Sequence, residues 1–257
     1  MINKIISKIN SLKDMKKYPD DIYFIGNTNL LESKKVSIVG TRKPISYTKA
    51  FTSALSAKLS NANITVVSGA AMGVDAISHK AALPNTIAVV ANGLDIRYPA
   101  VNKNLIQEIE QNGLMLSTYK NNVKARAYTF VQRNELVVAL GDVLIITQAD
   151  LKSGSMRSAQ FALNMGKQIY VLPHRIEDSE GTNDLLKKGQ AKAIYDIDEF
   201  ILQLTGNKND ILQNDEFLEY CKINTSYDDA VQKYHQKVFE YELLGKISIE
   251  NGHIKVL

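Results

Sequence analysis

Short apolar runs alternate with amphipathic stretches along most of the chain, and this alternation predicts its fold. Runs rich in β-branched residues, such as KKVSIVG at residues 34–40 and TIAVVANG at residues 86–93, predict strands buried on both faces. The stretches between such runs, beginning with SYTKAFTSALSAKLSNA, have helical spacing. Strands joined by helices in this way are typical of a parallel, doubly wound α/β sheet. The other predicted strands are ITVVSG, LMLSTY, DVLIITQA, QIYVLP and an edge strand, AKAIYD.

Both ends of the chain differ from this pattern. The polar residues 206–214 predict a linker, and three helix-like stretches follow it. The last residues alternate in polarity around Asn251-Gly252, which is a strong hairpin signal. Helices followed by a hairpin predict a small winged-helix-like module at residues 215–257. At the other end, residues 1–34 predict a helical or linking segment, which leaves residues 35–205 for the main domain.

The formal net charge of +4 is unevenly distributed along the chain. From Asp210 to the end there are 5 lysines and 9 acidic residues, whereas the preceding part has 26 basic and 18 acidic residues. A basic body favours polyanionic partners, and an acidic tail does not.

Several classes of protein are disfavoured by the sequence. The chain has no apolar segment followed by a cleavage site, and no run approaches the ~20 apolar residues of a membrane span. We therefore expect a cytoplasmic protein without a membrane-spanning helix. A single cysteine, Cys221, excludes an internal disulfide and a thiolate metal cluster. The four histidines lack metal-ligand spacing, and no serine lies in a G-x-S-x-G elbow. We therefore expect no metal, no cofactor and no catalytic residue, which favours a binding protein over an enzyme.

Candidate ligand-binding residues lie in the turns that follow the strands, because ligands of doubly wound sheets bind at the carboxyl ends of the strands. Gly40, Thr41 and Arg42 follow the first strand, where turn amides, a hydroxyl and a guanidinium can contact phosphate oxygens. Lys152 begins the block Lys-Ser-Gly-Ser at a predicted helix start, together with Ser153, Gly154 and Ser155, and helix N-termini bind anions. An N-cap serine with a turn glycine explains the same block.

Two further groups are open to two interpretations. Ser68, Gly69 and Gly73 can bring backbone N–H groups to an anion, but their spacing is not G-x-G-x-x-G, and close strand–helix packing explains it equally. Phe130 lies near Arg133 and Asn134, a combination suited to stacking on a base and pairing with a phosphate. The alternative interpretation is that Phe130 is a core aromatic residue and that Arg133 is a structural ion-pair partner.

Taken in order, six blocks resemble the DNA-processing protein A family, also called Smf. The blocks lie between residues 36 and 193 and read VSIVGTRKPISYTKAF, VVSGAAMGVDAISHKAAL, TIAVVANGLDIRYPAVNKNL, GLMLSTY, FVQRNELVVALGDVLIITQADLKSGSMRSAQFAL and GTNDLLKKG. The resemblance implies an extended Rossmann-like domain, mostly parallel and flanked by helices, that binds single-stranded DNA. It also implies a homodimer that protects incoming DNA and loads the RecA recombinase during natural transformation, without enzymatic activity.

The resemblance also implies which residues contact DNA. The family's phosphate pocket corresponds to the turn residues named above, and its Arg-Asn pair and aromatic correspond to Arg133, Asn134 and Phe130. A basic residue is expected shortly before Phe130, for which Arg126 and Lys124 are candidates. Met72 stands where many members have an arginine. The acidic C-terminal segment fits a protein contact or support of a dimer better than binding to duplex DNA.

Two other functions use the same turns. A Rossmann-like nucleotide hydrolase would carry a Pro-Gly-Gly-x-Gly-Thr loop with a nearby glutamate, and the sequence has no such loop. A sensor for a nucleotide-derived signal would bind its ligand through these turns without chemistry. A basic pocket spread over several turns suits a DNA strand better than a single nucleotide.

Overall fold

The computed structural model describes residues 2–206, 216–243 and 245–256. The chain divides into two compact units, Met1–Ile201 and Leu202–Leu257. Within the described ranges, no helix combines the length and the apolar composition that a membrane span requires.

The first unit is built on one sheet, which has nine strands among the described residues. In chain order the strands are β1 (Asn3–Lys4), β2 (Tyr23–Gly26), β3 (Lys35–Val39), β4 (Thr65–Ser68), β5 (Thr86–Val89), β6 (Leu114–Ser117), β7 (Val143–Ile146), β8 (Ile169–Val171) and β9 (Lys192–Ala193). Their spatial order is β1-β2-β6-β5-β4-β3-β7-β8-β9, and all pairs from β6 to β9 are parallel. Strands β3 to β6 are buried throughout, as the continuous apolar runs predict.

Helices connect the parallel strands, so the predicted doubly wound, Rossmann-like architecture is confirmed. They are α1 (Ser46–Asn61), α2 (Val74–Ala82), α3 (Lys103–Asn112), α4 (Ala127–Leu140), α5 (Gly154–Asn164) and α6 (Glu180–Lys187), and a further helix, α7 (Ile197–Thr205), follows β9. Helix α5 begins after Ser153, whose Oγ accepts a hydrogen bond from the Met156 amide at 3.3 Å. It ends before Gly166, which has a φ of +66°. Helix α7 was not predicted.

The order of the strands reverses between β3 and β7. The chain proceeds from β3 through β4 and β5 to β6 on one side, and then returns to the other side of β3 with β7. At such a reversal the connections leave neighbouring carboxyl ends in opposite directions, which opens a crevice at that edge of the sheet.

The N-terminal segment differs from its prediction. Residues 1–34 form no α-helix among the described residues; they add β1 and β2 to the sheet, and β2 pairs antiparallel with β6. Ile9, Leu12 and Ile22 lie in the main hydrophobic core, and Leu12 is fully buried. Burial of these apolar side chains makes the segment a part of the first unit, so the prediction of a separate helical or linking segment was wrong.

The second unit has the predicted order of elements. Helices α8 (Glu216–Ile223), α9 (Tyr227–Tyr234) and α10 (Gln236–Leu243) precede the antiparallel strands β10 (Ile247–Glu250) and β11 (His253–Val256). Asn251 and Gly252 both have positive φ, 53° and 77°, as a type I′ hairpin turn requires. The unit has its own core around Phe217, Leu218 and Val238. Apart from Gly206, the predicted linker at residues 206–214 lies outside the described residues.

Candidate functional site

A cleft of about 990 Å³ lies at the carboxyl edge of the sheet, where the strand order reverses. One wall is the turn after β3, another is the first half of α4, and the third is the turn after β7 with the start of α5. Eleven residues predicted as ligand contacts line it: Gly40, Thr41, Arg42, Gly69, Phe130, Arg133, Asn134, Lys152, Ser153, Gly154 and Ser155. The structure thus brings together residues from four separate turns and helices.

The turn after β3 is fixed by backbone contacts that leave Arg42 exposed. The Thr41 amide donates to the Gln148 carbonyl at 2.9 Å, which joins this turn to the one after β7. A Cβ on Gly40 would lie 2.6 Å from Cγ2 of Val74, so glycine allows α2 to approach the turn. The Arg42 guanidinium extends over the cleft, 5.6 Å from the centroid of the Phe130 ring.

The start of α5 forms the opposite wall and has the composition of an anion site. Ser153 caps the helix, Ser155 is buried, and Lys152 is exposed at the rim. Arg157, one turn into the helix, also lines the cleft and is exposed. Free N–H groups at a helix N-terminus with two adjacent cations favour a phosphate group.

An aromatic pair lies at the rim of the cleft. The rings of Tyr98 and Phe130 have centroids 6.3 Å apart at an angle of 50°. Tyr98 lies in the turn after β5 and is 48% exposed. Phe130 is half-buried, and together with the exposed Tyr98 and the nearby Arg42 it offers a surface on which a planar ring can stack.

Arg133 differs from its predicted role as a phosphate ligand. Its side chain is only 6% exposed, and its Nη1 donates to the carbonyls of Gly69 and, at 3.0 Å, Val89. These two carbonyls follow β4 and end β5, so the guanidinium joins the carboxyl ends of two neighbouring strands. Burial lowers the pKa of Arg133, and the nearby Asp75 carboxylate opposes this effect.

Helix α2 carries two buried titratable groups, of which Asp75 lines the cleft and His79 lies one turn further along the helix. The Asp75 carboxylate accepts a hydrogen bond from the Ala71 amide at 3.3 Å, and burial raises the pKa of Asp75 while Arg133 opposes the increase. His79 accepts from the Ala70 amide at Nε2, so its Nδ1 carries the proton and donates to Thr86 Oγ1 at 2.7 Å. Burial lowers the pKa of His79 to about 3, which keeps this fully bonded ring neutral.

Three predicted contacts do not line the cleft. Ser68 is fully buried and its hydroxyl donates to the Ile38 carbonyl at 2.7 Å. Gly73 has a φ of +78°, and a Cβ there would lie 2.6 Å from the Arg42 carbonyl oxygen, so it supports the first turn from behind. Arg126 is exposed just before α4, outside the cleft.

Gln148 is a site residue that the sequence reasoning missed. Its side-chain Oε1 accepts from the Ile45 amide, and its Nε2 donates to the Asp178 carbonyl, both at 3.1 Å. The amide therefore holds the chain after β3 against the chain after β8. The sequence does place Gln148 just after the predicted strand β7, where ligand-binding residues are expected. A glutamine in a turn is too common, however, to identify a site residue.

The rim of the cleft is positively charged. Arg42, Lys43, Lys152 and Arg157 are exposed there and form no ion pair among the described residues, whereas Asp150 is an exposed acid beside them. Over the same ranges, no cluster of three or more His, Cys, Asp or Glu side chains could hold a metal ion. The arrangement is suited to binding an anion that also presents planar rings.

Comparisons with known proteins point to one family. Residues 8–205 match the family model described as DNA recombination-mediator protein A. A structure of DNA processing protein A from Helicobacter pylori, which concerns that protein's single-stranded DNA binding mode, is 45% identical with a TM-score of 0.78, covering 79% of this chain and 95% of that one. The X-ray structure of DNA processing protein A from Streptococcus pneumoniae is 29% identical with a TM-score of 0.71, covering 84% and 74%.

Among curated proteins, Protein Smf from a Synechocystis strain is 30% identical over 218 residues, which are 79% of this chain and 54% of that protein. The chain spans about half the length of the curated relatives that it matches.

Proposed function

Because the chain belongs to the DNA recombination-mediator protein A family, we propose that its cleft binds single-stranded DNA. The observation that carries the proposal is the combination of a basic rim, unpaired among the described residues, with the ring pair of the exposed Tyr98 and the half-buried Phe130. Phosphates of a strand would contact Arg42, Lys152 and the N-terminus of α5. An unpaired base would stack at the aromatic pair.

Single strands fit this surface better than duplex DNA does. Bases in a duplex are stacked on each other and cannot reach an aromatic side chain, whereas those of a single strand are free to do so. The cleft of about 990 Å³ is also at the upper end of the range for small-ligand pockets, which favours a polymer over one nucleotide.

We further propose that the protein acts as a homodimer in the cytoplasm, protects incoming DNA and loads the RecA recombinase during natural transformation. Family membership supports this role, as does the single-stranded DNA binding that is described for the H. pylori relative. In this proposal the protein works by binding and not by catalysis.

The test is fluorescence anisotropy of a labelled thymidine oligomer with the purified protein over a salt series, with duplex DNA as competitor. We expect tight binding that prefers the single strand and weakens steeply with salt. Absence of binding at low salt would contradict the proposal. Stoichiometric binding of a mononucleotide, tighter than that of DNA, would instead support the sensor, and release of a free base would support the hydrolase.

RecA loading needs a separate measurement. RecA ATPase activity on single-stranded DNA coated with single-strand-binding protein should start sooner when the protein is added. Unchanged kinetics, despite normal DNA binding, would restrict the function to binding and protection.

A further inference from the structure

The anion-binding cleft contains a buried carboxylate, whose negative charge opposes an anionic ligand. Asp75 lines the cleft together with Arg42, Gly69 and Ala71. It is 7% exposed, whereas Asp150, the other acid that lines the cleft, lies at the surface. A buried charge acts more strongly on a bound phosphate than a solvated charge does, because little water screens it. Asp75 is therefore the acid that matters most to a ligand in this cleft.

The carboxylate of Asp75 is held in a fixed position. Asp75 lies in the first turn of α2, and its Oδ2 accepts a hydrogen bond from the Ala71 amide at 3.3 Å. Ser68 and the Gly69 amide also act on the carboxylate and favour its ionised form. These contacts tie the group to the turn after β4, so it does not turn into solvent when a ligand enters.

The positive charge beside Asp75 is engaged with other groups. Arg133 of α4 forms no ion pair with Asp75 in the part of the chain that the structure describes. Its Nη1 donates instead to the carbonyls of Gly69 and Val89. Burial raises the pKa of Asp75, and the charge of Arg133 opposes this increase. The carboxyl group therefore takes up a proton more readily than an exposed aspartate does.

The other titratable groups around Asp75 keep one charge state near neutral pH. His79, one turn further along α2, has a pKa of about 3 and stays neutral. Arg42 of the turn after β3 and Tyr119 of the loop after β6 both act on Arg133. A guanidinium stays charged in this range, and burial raises the pKa of Tyr119, which keeps the phenol neutral. In this cluster, Asp75 is the group whose charge can change.

We propose that Asp75 couples binding of a phosphate in the cleft to the uptake of one proton from solvent. A phosphate places a second negative charge near the buried carboxylate, and protonation of Asp75 removes the repulsion between them. The protonated carboxyl group also gains an O–H that can donate a hydrogen bond to a phosphate oxygen. The inference rests on the proposed function, because the phosphate is that of the DNA strand.

The consequence is a dependence of DNA affinity on pH. A bound phosphate raises the pKa of Asp75 further, so a pH window lies between the pKa of the free protein and that of the complex. Within this window affinity falls as the pH rises, by up to about tenfold for each pH unit when one proton is taken up. Below the window Asp75 is protonated with and without DNA, and above it the group is ionised in both states.

The experiment measures the affinity and the proton uptake of the same binding reaction. Fluorescence anisotropy with an unphosphorylated thymidine oligomer gives the affinity from about pH 5 to about pH 8.5 at constant ionic strength, a range in which neither thymine nor a phosphodiester titrates. Isothermal titration calorimetry in buffers of different ionisation enthalpy counts the protons taken up, and it needs no variant.

Asp75→Asn removes the titrating group but keeps the size of the side chain and an acceptor oxygen. We expect this variant to lose the proton uptake of the unaltered protein and to bind at every pH about as tightly as that protein does at the acid end. Asp150→Asn is the matched control, because it removes an exposed carboxylate from the same cleft. It should bind slightly more tightly at every pH and retain the proton uptake.

Two outcomes would overturn the inference. One is the absence of proton uptake by the unaltered protein over the whole pH range; the other is equal proton uptake by the unaltered protein and Asp75→Asn. Failure of the unaltered protein to bind the oligomer at any pH is a different result, because it contradicts the proposed function itself. Unchanged circular dichroism spectra establish that both variants are folded.

Discussion

Arg42 and Arg133 hold their guanidinium groups at nearly the same distance from the Phe130 ring, 5.6 and 5.8 Å from its centroid, but they differ in exposure and in hydrogen bonding. Arg42 is exposed on the turn after β3, and Arg133 is buried with Nη1 bonded to two backbone carbonyls. The first is available to a ligand, whereas the second is engaged in holding the sheet. Their substitutions should therefore separate DNA binding from stability.

Arg42→Gln should weaken binding of single-stranded DNA about tenfold and equally for all sequences, because one charge-assisted hydrogen bond to a phosphate is lost. The logarithmic salt slope should decrease by about 0.7. Anisotropy titrations measure both, with Lys80→Gln as a control of equal charge on another exposed site. Unchanged affinity would remove Arg42 from the binding surface.

Arg133→Gln should lower the free energy of unfolding by about 2 to 4 kcal/mol, because the Gly69 and Val89 carbonyls lose a buried donor. Urea denaturation measures this loss. The salt slope of DNA binding by the folded variant should stay the same. A flatter slope with unchanged stability would instead give Arg133 the phosphate contact that the sequence predicts.

Gly73→Ala should reduce stability and DNA binding together. The left-handed φ of +78° opposes a side chain, and the added Cβ would meet the backbone of Thr41 and Arg42, which forms a wall of the cleft. We expect a loss of about 1 to 3 kcal/mol in urea denaturation. Gly189→Ala is the matched control, since Gly189 also has a positive φ of +66° but no atom within 4 Å of the added Cβ. Equal effects of the two substitutions would contradict a role for close packing at Gly73.

Phe130→Leu should reduce affinity for single-stranded DNA by about 1 to 3 kcal/mol, because a base loses its stacking partner. The salt slope should not change, since no charge is removed. Tyr195→Leu is a suitable control because this tyrosine is 85% exposed and follows β9. A loss of affinity that disappears at high salt would point to an electrostatic contribution and against stacking.

His79 should make the fold sensitive to mild acid. Its pKa of about 3 lies below that of the unfolded chain, so below pH 6.5 the unfolded state binds a proton that the folded state does not. The free energy of unfolding should therefore decrease as the pH is lowered through this window, by about 2 kcal/mol from pH 7 to pH 5.

The measurement is the unfolding free energy at both pH values for the unaltered protein and for His79→Gln. The variant is less stable throughout but should lack this part of the pH dependence. Asp75, whose pKa is raised, acts in the opposite direction and is present in both proteins, so its contribution cancels. An identical pH dependence of the two proteins would contradict the buried, neutral state of His79.

The sequence predicts the parallel part of the sheet well because its strands are buried on both faces. Continuous apolar runs such as Leu144–Ile146 leave little choice of structure, and the rule that carboxyl ends meet at one edge then brings their turns together. The same reasoning fails for β2, whose residues Tyr23–Gly26 are only partly buried or exposed and follow a polar stretch. A short strand of this kind becomes stable through its partner β6, which local sequence does not reveal.

The direction in which a side chain points is the second feature that the sequence does not predict. Ser68 and Arg133 have the composition of a phosphate site, yet both donate to backbone carbonyls inside the protein. Residue type and spacing cannot distinguish a donor that faces the cleft from one that faces the sheet. Gln148 illustrates the converse case, in which an ordinary turn residue holds two loops of the site together.

The antiparallel pairing of β2 with β6 has a consequence for solubility. All four residues of β6 are buried, and β2 pairs with the edge of β6 that faces away from β5. A fragment that begins at residue 35, the boundary that the sequence suggests, would present an open apolar edge with unpaired amides and carbonyls. Such edges recruit further strands and promote aggregation. The N-terminal segment thus covers this edge of β6, and we expect that removing the segment would promote edge-to-edge association of copies.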